Sequence, residues 1–295
     1  MTRATLIAAG LCTFATLVAA QRGQQDPRDM GGGQCATNPY NCADAPNPLT
    51  PPDTVWLEDM TWMDVRDAMK AGKTTVIIPT GGMEPNGPWI ALGKHNFVLK
   101  ANCEAIARKM GDALCSAIVP FVPEGGHEPA GSHMRNPGTI SLREDTFQAL
   151  LSDIALSYKV HGFKNIVMIG DSGGNQGGMA AVAKKYTTEW SGAPKIVHVR
   201  EYYDYSSVDR LLTEMKVQTP DMKGDGLHDD PGITLNIMVT DPEAVRWSAR
   251  VKAKKATING VSIADKARSL EIGKKIVEMR ATNTVAAIRK ALGGS

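Results

Sequence analysis

The feature that most constrains this chain is an alternation, from Val55 onward, of short continuous apolar runs with longer segments of helical periodicity. The runs are Thr74–Pro79 (TTVIIP), Ala117–Val122 (AIVPFV), Asn165–Ile169 (NIVMI), Lys195–Val199 (KIVHV) and Thr234–Val239 (TLNIMV). Each has strand length, and a strand apolar on consecutive residues is buried on both faces. Between them Met60–Ala71, Asn96–Met110, Glu144–Val160 and Gln176–Trp190 read as helices. Pro242–Leu292 reads as two more, the second long and amphipathic. Strands alternating with helices imply an α/β protein with a mostly parallel sheet covered on both faces. Ligands of such sheets bind beyond the C-terminal strand ends. The loops after Pro79, Val122, Ile169 and Val199 therefore share one rim.

The chain has 295 residues, 42% hydrophobic and 22% charged, which excludes wholesale disorder and is enough for a full core. Thirty-three basic side chains against thirty-one acidic leave a net charge of +2. That balance gives no electrostatic case for nucleic acid or an anionic membrane as partner. The first twenty residues read as a signal peptide, with Arg3, the apolar stretch LIAAGLCTFATLV and small residues Val18-Ala19-Ala20 before Gln21. The stretch is shorter than the roughly 20 residues of a membrane span, an uncleaved anchor being the alternative. The expectation is an exported protein, periplasmic or secreted, out of the membrane once the signal is cleaved. Residues 21–53, rich in Gly, Gln, Asn and Pro, read as an N-terminal arm, and 54–295 as one α/β domain.

Export leaves Cys35, Cys42, Cys103 and Cys115 in an oxidising compartment, where four cysteines allow three connectivities. Pairing Cys35 with Cys42 and Cys103 with Cys115 is the simplest, and free buried thiols at 103 and 115 are the other reading. None has the C-x-x-C spacing of a zinc or redox site.

Four segments have the make-up of site loops. In the first, Glu84, Asn86 and Trp89 lie in a Gly/Pro-rich excursion that ends at His95 (GGMEPNGPWIALGKH). A carboxylate and an imidazole that bracket such an excursion suit one metal ion, against a capping glutamate and a surface histidine. The second, IGDSGGNQ, overlaps several serine-hydrolase patterns at Ser172 and puts the Asp171 carboxylate on the same rim as Glu84. Only His228 follows it late enough to complete a triad. The plain alternative is a Gly-rich βα turn whose Asp and Ser cap a helix. The third, PEGGHEPAGSHMRNPGTI, carries His127, His133, Glu124, Glu128 and Arg135. In the fourth, GDGLHDDPGIT, His228 is followed by Asp229 and Asp230, as an oriented general base or a metal ligand would be. His161 and His198 read as structural, a helix end and a satisfied strand residue.

Taken together, GGMEPNGPWIALGKH, GSHMRNPGTISL, IGDSGGNQ and LHDDPGITLNIM resemble, in order, the motif segments of the creatininase (creatinine amidohydrolase) family, over about Val55 to Val245. The resemblance implies a three-layer αβα sandwich, often assembled as hexamers, with divalent metal at the strand ends and hydrolysis of cyclic or linear C–N amide bonds. Glu84 matches a metal-binding glutamate, and His95 stands where the family has a bridging aspartate. Asn86 and Ser172 stand where it has metal-binding histidines. His228 matches the catalytic acid/base and His133 the histidine of a Ser-x-x-His element. Asn86 and Ser172 are poor ligands, so a full two-metal site is not implied.

The resulting expectation is a divergent, exported, creatininase-like hydrolase of a small-molecule amide. One Zn²⁺ or Mn²⁺ is held by Glu84, His95 and Asp171. His228, oriented by Asp229 or Asp230, moves the proton, while His133, Arg135, Asn86 and Trp89 contact substrate. The alternatives are a serine hydrolase using Ser172 and His228, or a catalytically silent relative that binds a small ligand.

Overall fold

A computed structural model describes residues 35–219 and 228–293. Contacts divide the chain into a first unit ending at Thr50 and a second starting at Pro51. In the first, the disulfide Cys35–Cys42 closes over a 3-10 turn at Pro39–Asn41, which the Asn38 side chain caps. The signal segment 1–20 lies outside the described residues.

The second unit is built on a four-stranded parallel sheet. Its strands are β1 Thr75–Thr80, β2 Ala113–Cys115, β3 Asn165–Gly170 and β4 Lys195–His198, in the order β2-β1-β3-β4. Successive side chains of a strand point to opposite faces, and here both faces are buried. Val76, Ile78, Ile166 and Met168 pack one way against α3 (Glu144–Val160) and α4 (Asn175–Glu189). Ile77, Val167 and Ile169 pack the other way against α2 (Lys94–Met110) and the C-terminal α8 (Lys266–Ala291). This is the three-layer αβα arrangement. A second disulfide, Cys103–Cys115, ties α2 to β2.

Several helix ends follow local rules. The helix α1, Trp62–Lys70, opens with a reciprocal Thr61/Asp64 capping box. The C-terminus of α2 stops at Gly111 with φ +82°, a left-handed conformation that glycine accepts without steric cost. The remaining elements are α5 (Tyr205–Glu214), α6 (Pro231–Thr240), α7 (Trp247–Lys252) and a small hairpin, β5 (Thr257–Ile258) with β6 (Val261–Ser262).

Two strand expectations are corrected. The run Ala117–Val122 makes only isolated bridges at Val119 and Val122, and the true strand is the shorter β2 just before it. Pro120 and Pro123 lack the N–H that a ladder needs. The run Thr234–Val239 is helical, inside α6. Asp230 caps that helix by accepting from Ile233 N at 2.9 Å, and Pro231 is preset for its first turn. A short run apolar on every side fits a buried helix as well as a buried strand. The tail also contains the β5–β6 hairpin, turned at Asn259-Gly260 with both residues at positive φ.

Where α8 crosses α6, Gly273 admits the helix: a Cβ there would collide with the Leu235 carbonyl oxygen. Gly273→Ala should therefore lose about 1–3 kcal/mol of stability in urea titration. Gly177→Ala, at an exposed α4 position with open space around it, should gain about 0.5–1 kcal/mol.

Candidate active site

The register of the sheet places the site. Thr80 ends β1 beside Gly170, which ends β3, so the Glu84 loop and the Asp171 turn leave the sheet side by side. Asn175, at the start of α4, staples the two. Its Nδ2 donates to Thr80 O at 3.0 Å and to Gly81 O at 2.9 Å. Gly82 is small for a local reason, since a Cβ there would occupy the place of Glu124 Oε1. Lys94 and His95 form the first turn of α2 and are both directed at Glu84.

Glu84 is buried and surrounded. Its Oε1 lies 2.7 Å from Lys94 Nζ and 3.1 Å from His95 Nε2, while its Oε2 lies 3.1 Å from His133 Nδ1. The same His133 nitrogen is 3.0 Å from Glu124 Oε2. On its other side the His95 ring meets Asp171, Nδ1 to Oδ2 at 2.9 Å. Asp171 is fully buried. It also accepts from Arg280 Nη2 at 2.8 Å and from the Tyr205 hydroxyl at 2.8 Å. Arg280 comes from α8 and lies over the rings of Tyr202 and Tyr205, 4.4 and 4.8 Å from their centroids.

Burial alone would raise the carboxyls of Glu84 and Asp171. His95 and Lys94 outweigh it at Glu84, and Arg280 and His95 at Asp171, so both stay below their ordinary range. Burial likewise opposes the His95 imidazolium, but carboxylates on both ring nitrogens raise it. Burial pushes Lys94 down, with Glu84 opposing. Glu124 is the exception. Burial, with the Glu84 charge beside it, pushes its carboxyl up to about 7 against the pull of His133. Neither Glu124 Oε1 nor Glu84 Oε1 makes a hydrogen bond of good geometry, but Glu84 Oε1 has the ion contacts of Lys94 and His95, and among the described residues Glu124 Oε1 has none. Burial, then Lys94, holds His228 below its ordinary value.

These residues open on a cavity of about 400 Å³, lined among others by Glu84, Glu124, His133, Ser172, Tyr203 and His228. Among the described residues, the carboxylate–histidine set whose ligand atoms lie within 4.8 Å of one another is Glu84, Glu124 and His133. The expected set of Glu84, His95 and Asp171 is corrected by this geometry. The His95 ring stands between the two carboxylates with both nitrogens engaged, and Asp171 is filled by Arg280 and Tyr205.

The other site residues fall as follows. His228 lies at the cavity, half exposed, with Nδ1 3.9 Å from Glu84 Oε1 and its ring edge-on to His133. It is not oriented by its neighbours in sequence. Asp229 holds Arg250 through both oxygens at 2.9 Å, and Asp230 caps α6. Ser172 lines the cavity, yet among the described residues no hydrogen bond links its hydroxyl to His228 or any other base. Its neighbour Asp171 serves His95, so among the described residues no Ser–His–Asp hydrogen-bonded triad is present at Ser172. Arg135 is exposed on the 3-10 turn Ser132–Arg135. Asn86 and Trp89 line a neighbouring cavity of about 250 Å³ with Arg250 and Lys255, because Asn86 Nδ2 turns back to Glu84 O at 2.8 Å. His161 ends α3, and His198 Nε2 meets Gln176 Oε1 at 2.9 Å, both structural. Lys94, Tyr205 and Arg280 go unnamed in the sequence reading, and Glu124 is named there without a role. Glu124 and Lys94 both lie in the loop segments that stand out in the sequence, whereas Tyr205 and Arg280 lie in none of them.

Fold and site together define a three-layer α/β protein with a cluster of two buried glutamates and a half-buried histidine, able in its geometry to hold a metal ion, at the carboxyl edge of its sheet. The sequence profile of the creatininase family, described as creatinine amidohydrolase, matches residues 58–288, and the chain belongs to that family. It is 23% identical over 118 residues to creatinine amidohydrolase of Pseudomonas putida, covering 39% of this chain and 44% of that protein. It is 26% identical over 122 residues to 3-dehydro-scyllo-inosose hydrolase of Thermotoga maritima, covering 41% of this chain and 37% of that one. The matched segments thus span less than half of either relative, and both relatives are hydrolases. A crystal structure of creatininase superposes with TM-score 0.61 at 17% identity, covering 83% of this chain and all of that one. A manganese creatininase gives 0.59 at 18%, covering 81% and 98%. A mutant form of Zn–Zn type gives 0.59 at 19%, with the same coverage. At these identities the structures establish the fold.

The Asp171–Arg280 pair should contribute to the acid response. Arg280→Met leaves a buried carboxylate without its guanidinium and should cost about 3–5 kcal/mol in chemical denaturation. The folded carboxyl of Asp171 lies below its ordinary value of 3.8. Its contribution is therefore complete above that pH and lost as pH falls through the lowered folded value. Asp171→Asn should show a shallower stability loss than the parent below about pH 4.

Proposed function

We propose that the protein hydrolyses a C–N amide bond, cyclic or linear, of a small molecule, with one divalent ion held by Glu84, Glu124 and His133. The carrying observation is the shortage of positive charge at Glu124. Its carboxyl is pushed up beside Glu84, and among the described residues its buried Oε1 has neither a hydrogen bond nor the ion contacts that Lys94 and His95 give Glu84 Oε1. Two carboxylates and an imidazole converging on one point suit Zn²⁺ or Mn²⁺. Zinc and manganese forms of the structural neighbours support that choice. A divalent ion there supplies Lewis acidity, acidifying water and polarising a carbonyl.

The chain's own residues do the rest. Lys94 and His95 fix Glu84 Oε1, which leaves Oε2 turned toward His133 and the cavity. His228, half exposed and held below its ordinary value, is neutral at pH 7. It takes a proton from water in the cavity and returns it to the leaving nitrogen. The cavity of about 400 Å³ accepts a small molecule only. Export and homo-oligomeric assembly belong to the same proposal, and the two disulfides support an oxidising compartment.

The test is elemental analysis of the purified full chain after reconstitution with Zn²⁺ or Mn²⁺, beside an amide-hydrolysis screen. Near-stoichiometric metal is expected. Glu124→Gln should weaken binding by more than the roughly 10–100-fold typical of outer-shell partners, and hydrolysis should vanish with it. A parent chain that takes up no ion overturns the metal mechanism.

A further inference from the structure

The ammonium of Lys94 is the least expected group in the site. Lysine is almost never fully buried unless paired, and here the side chain is 1% exposed with Nζ 2.7 Å from Glu84 Oε1. His95 Nε2 reaches the same oxygen at 3.1 Å. That oxygen therefore already meets two nitrogen groups of the chain. The other carboxylate on this side, Asp171, is engaged by Arg280, His95 and Tyr205. Once Glu84 Oε2, Glu124 and His133 Nδ1 are assigned to one ion, neither Glu84 Oε1 nor Asp171 is open to a second. A second ion at Oε1 would also meet the ammonium, a like charge in a poorly solvated place.

We propose that Lys94 supplies, from the chain itself, the second positive charge of this centre and so limits it to a single divalent ion. Lys94 is a positioning residue. It acts through Glu84, fixing one carboxylate oxygen and leaving the other for the ion. The inference rests on the metal reading above and extends it to the metal count.

The experiment measures ions bound per chain and their affinity, using metal-stripped full chain dialysed against Zn²⁺ or Mn²⁺ alone. The parent is compared with Lys94→Gln, Lys94→Met and Lys94→Asp, with circular dichroism reporting the fold of each. Lys94→Gln keeps a hydrogen-bond donor for Glu84 and removes only the charge, so it carries the test if Lys94→Met does not fold. The expected result is one ion in the parent, bound about tenfold or more tighter in Lys94→Gln, where the like charge is gone and a donor to Glu84 remains. Binding is weaker than in Lys94→Gln for Lys94→Met, which also loses the positioning contact, and Lys94→Asp takes two ions. Two ions in the parent overturn the proposal. So does a count and affinity unchanged in all folded variants, whether the parent holds one ion or none. A parent that binds no ion overturns the metal-dependent function and the single-ion limit together. One ion in parent and variants alike, at equal affinity, overturns the role of Lys94 and leaves the metal-dependent function standing.

Discussion

Three carboxylates, Glu84, Glu124 and Asp171, lie buried at the carboxyl edge of the sheet, and their neutralisation organises everything around them. A buried charge is costly unless it is paired and hydrogen-bonded. Asp171 is satisfied by a guanidinium, an imidazole and a phenol, and Glu84 by an ammonium and the same imidazole. Among the described residues Glu124 is hydrogen-bonded by His133, with His95 a weaker charge nearby, and is left partly uncompensated. The centre thus grades from a fully balanced interior end at Asp171 to an under-charged end at the cavity. At the second end a group can be added without displacing a structural partner, which is why the proposed chemistry is assigned there.

The grading also ties the site to the core. Arg280 belongs to α8, whose apolar face closes one side of the sheet through Ala281, Val285 and Ile288. The guanidinium enters the site from the same helix that packs on the sheet, and about two turns earlier that helix crosses α6 closely at Gly273. His95 then passes the arrangement on, a single ring spanning Asp171 and Glu84. Removing a partner in this chain strands a buried charge, so the residues that orient Glu84 also hold the C-terminal helix to the sheet. Stability and site geometry are not separable here.

Much of this was legible in the sequence. The apolar strands at 74–79, 165–169 and 195–199, the helix at 144–160 and the four site loops could be read because periodicity and Gly/Pro punctuation are local signals. Glu84, His95 and Asp171 were correctly placed on one rim, and the family segments were in order. What failed, failed for identifiable reasons. The run 234–239 is apolar on every side, which a buried helix and a buried strand share, although Asp230-Pro231 carried the cap signal that separates them. The run 117–122 is interrupted by Pro120, which has no N–H for a ladder. The ligand set was misjudged because spacing brings residues to a rim without saying which way they point. His95 turns both nitrogens to carboxylates, and Asn86 turns back to the main chain.

By itself, then, the sequence determined the layered α/β architecture, the edge of the sheet that carries the site, and the family. These follow from hydrophobic burial and turn chemistry, which act over a few neighbouring residues. Only the tertiary structure decided the electrostatics. It brought Arg280 to Asp171 across a sequence separation of 109, buried Lys94 against Glu84, and gathered Glu124 and His133 into the group that can hold an ion. Coulomb energy depends on distance and on the local dielectric, and neither exists until the chain has packed.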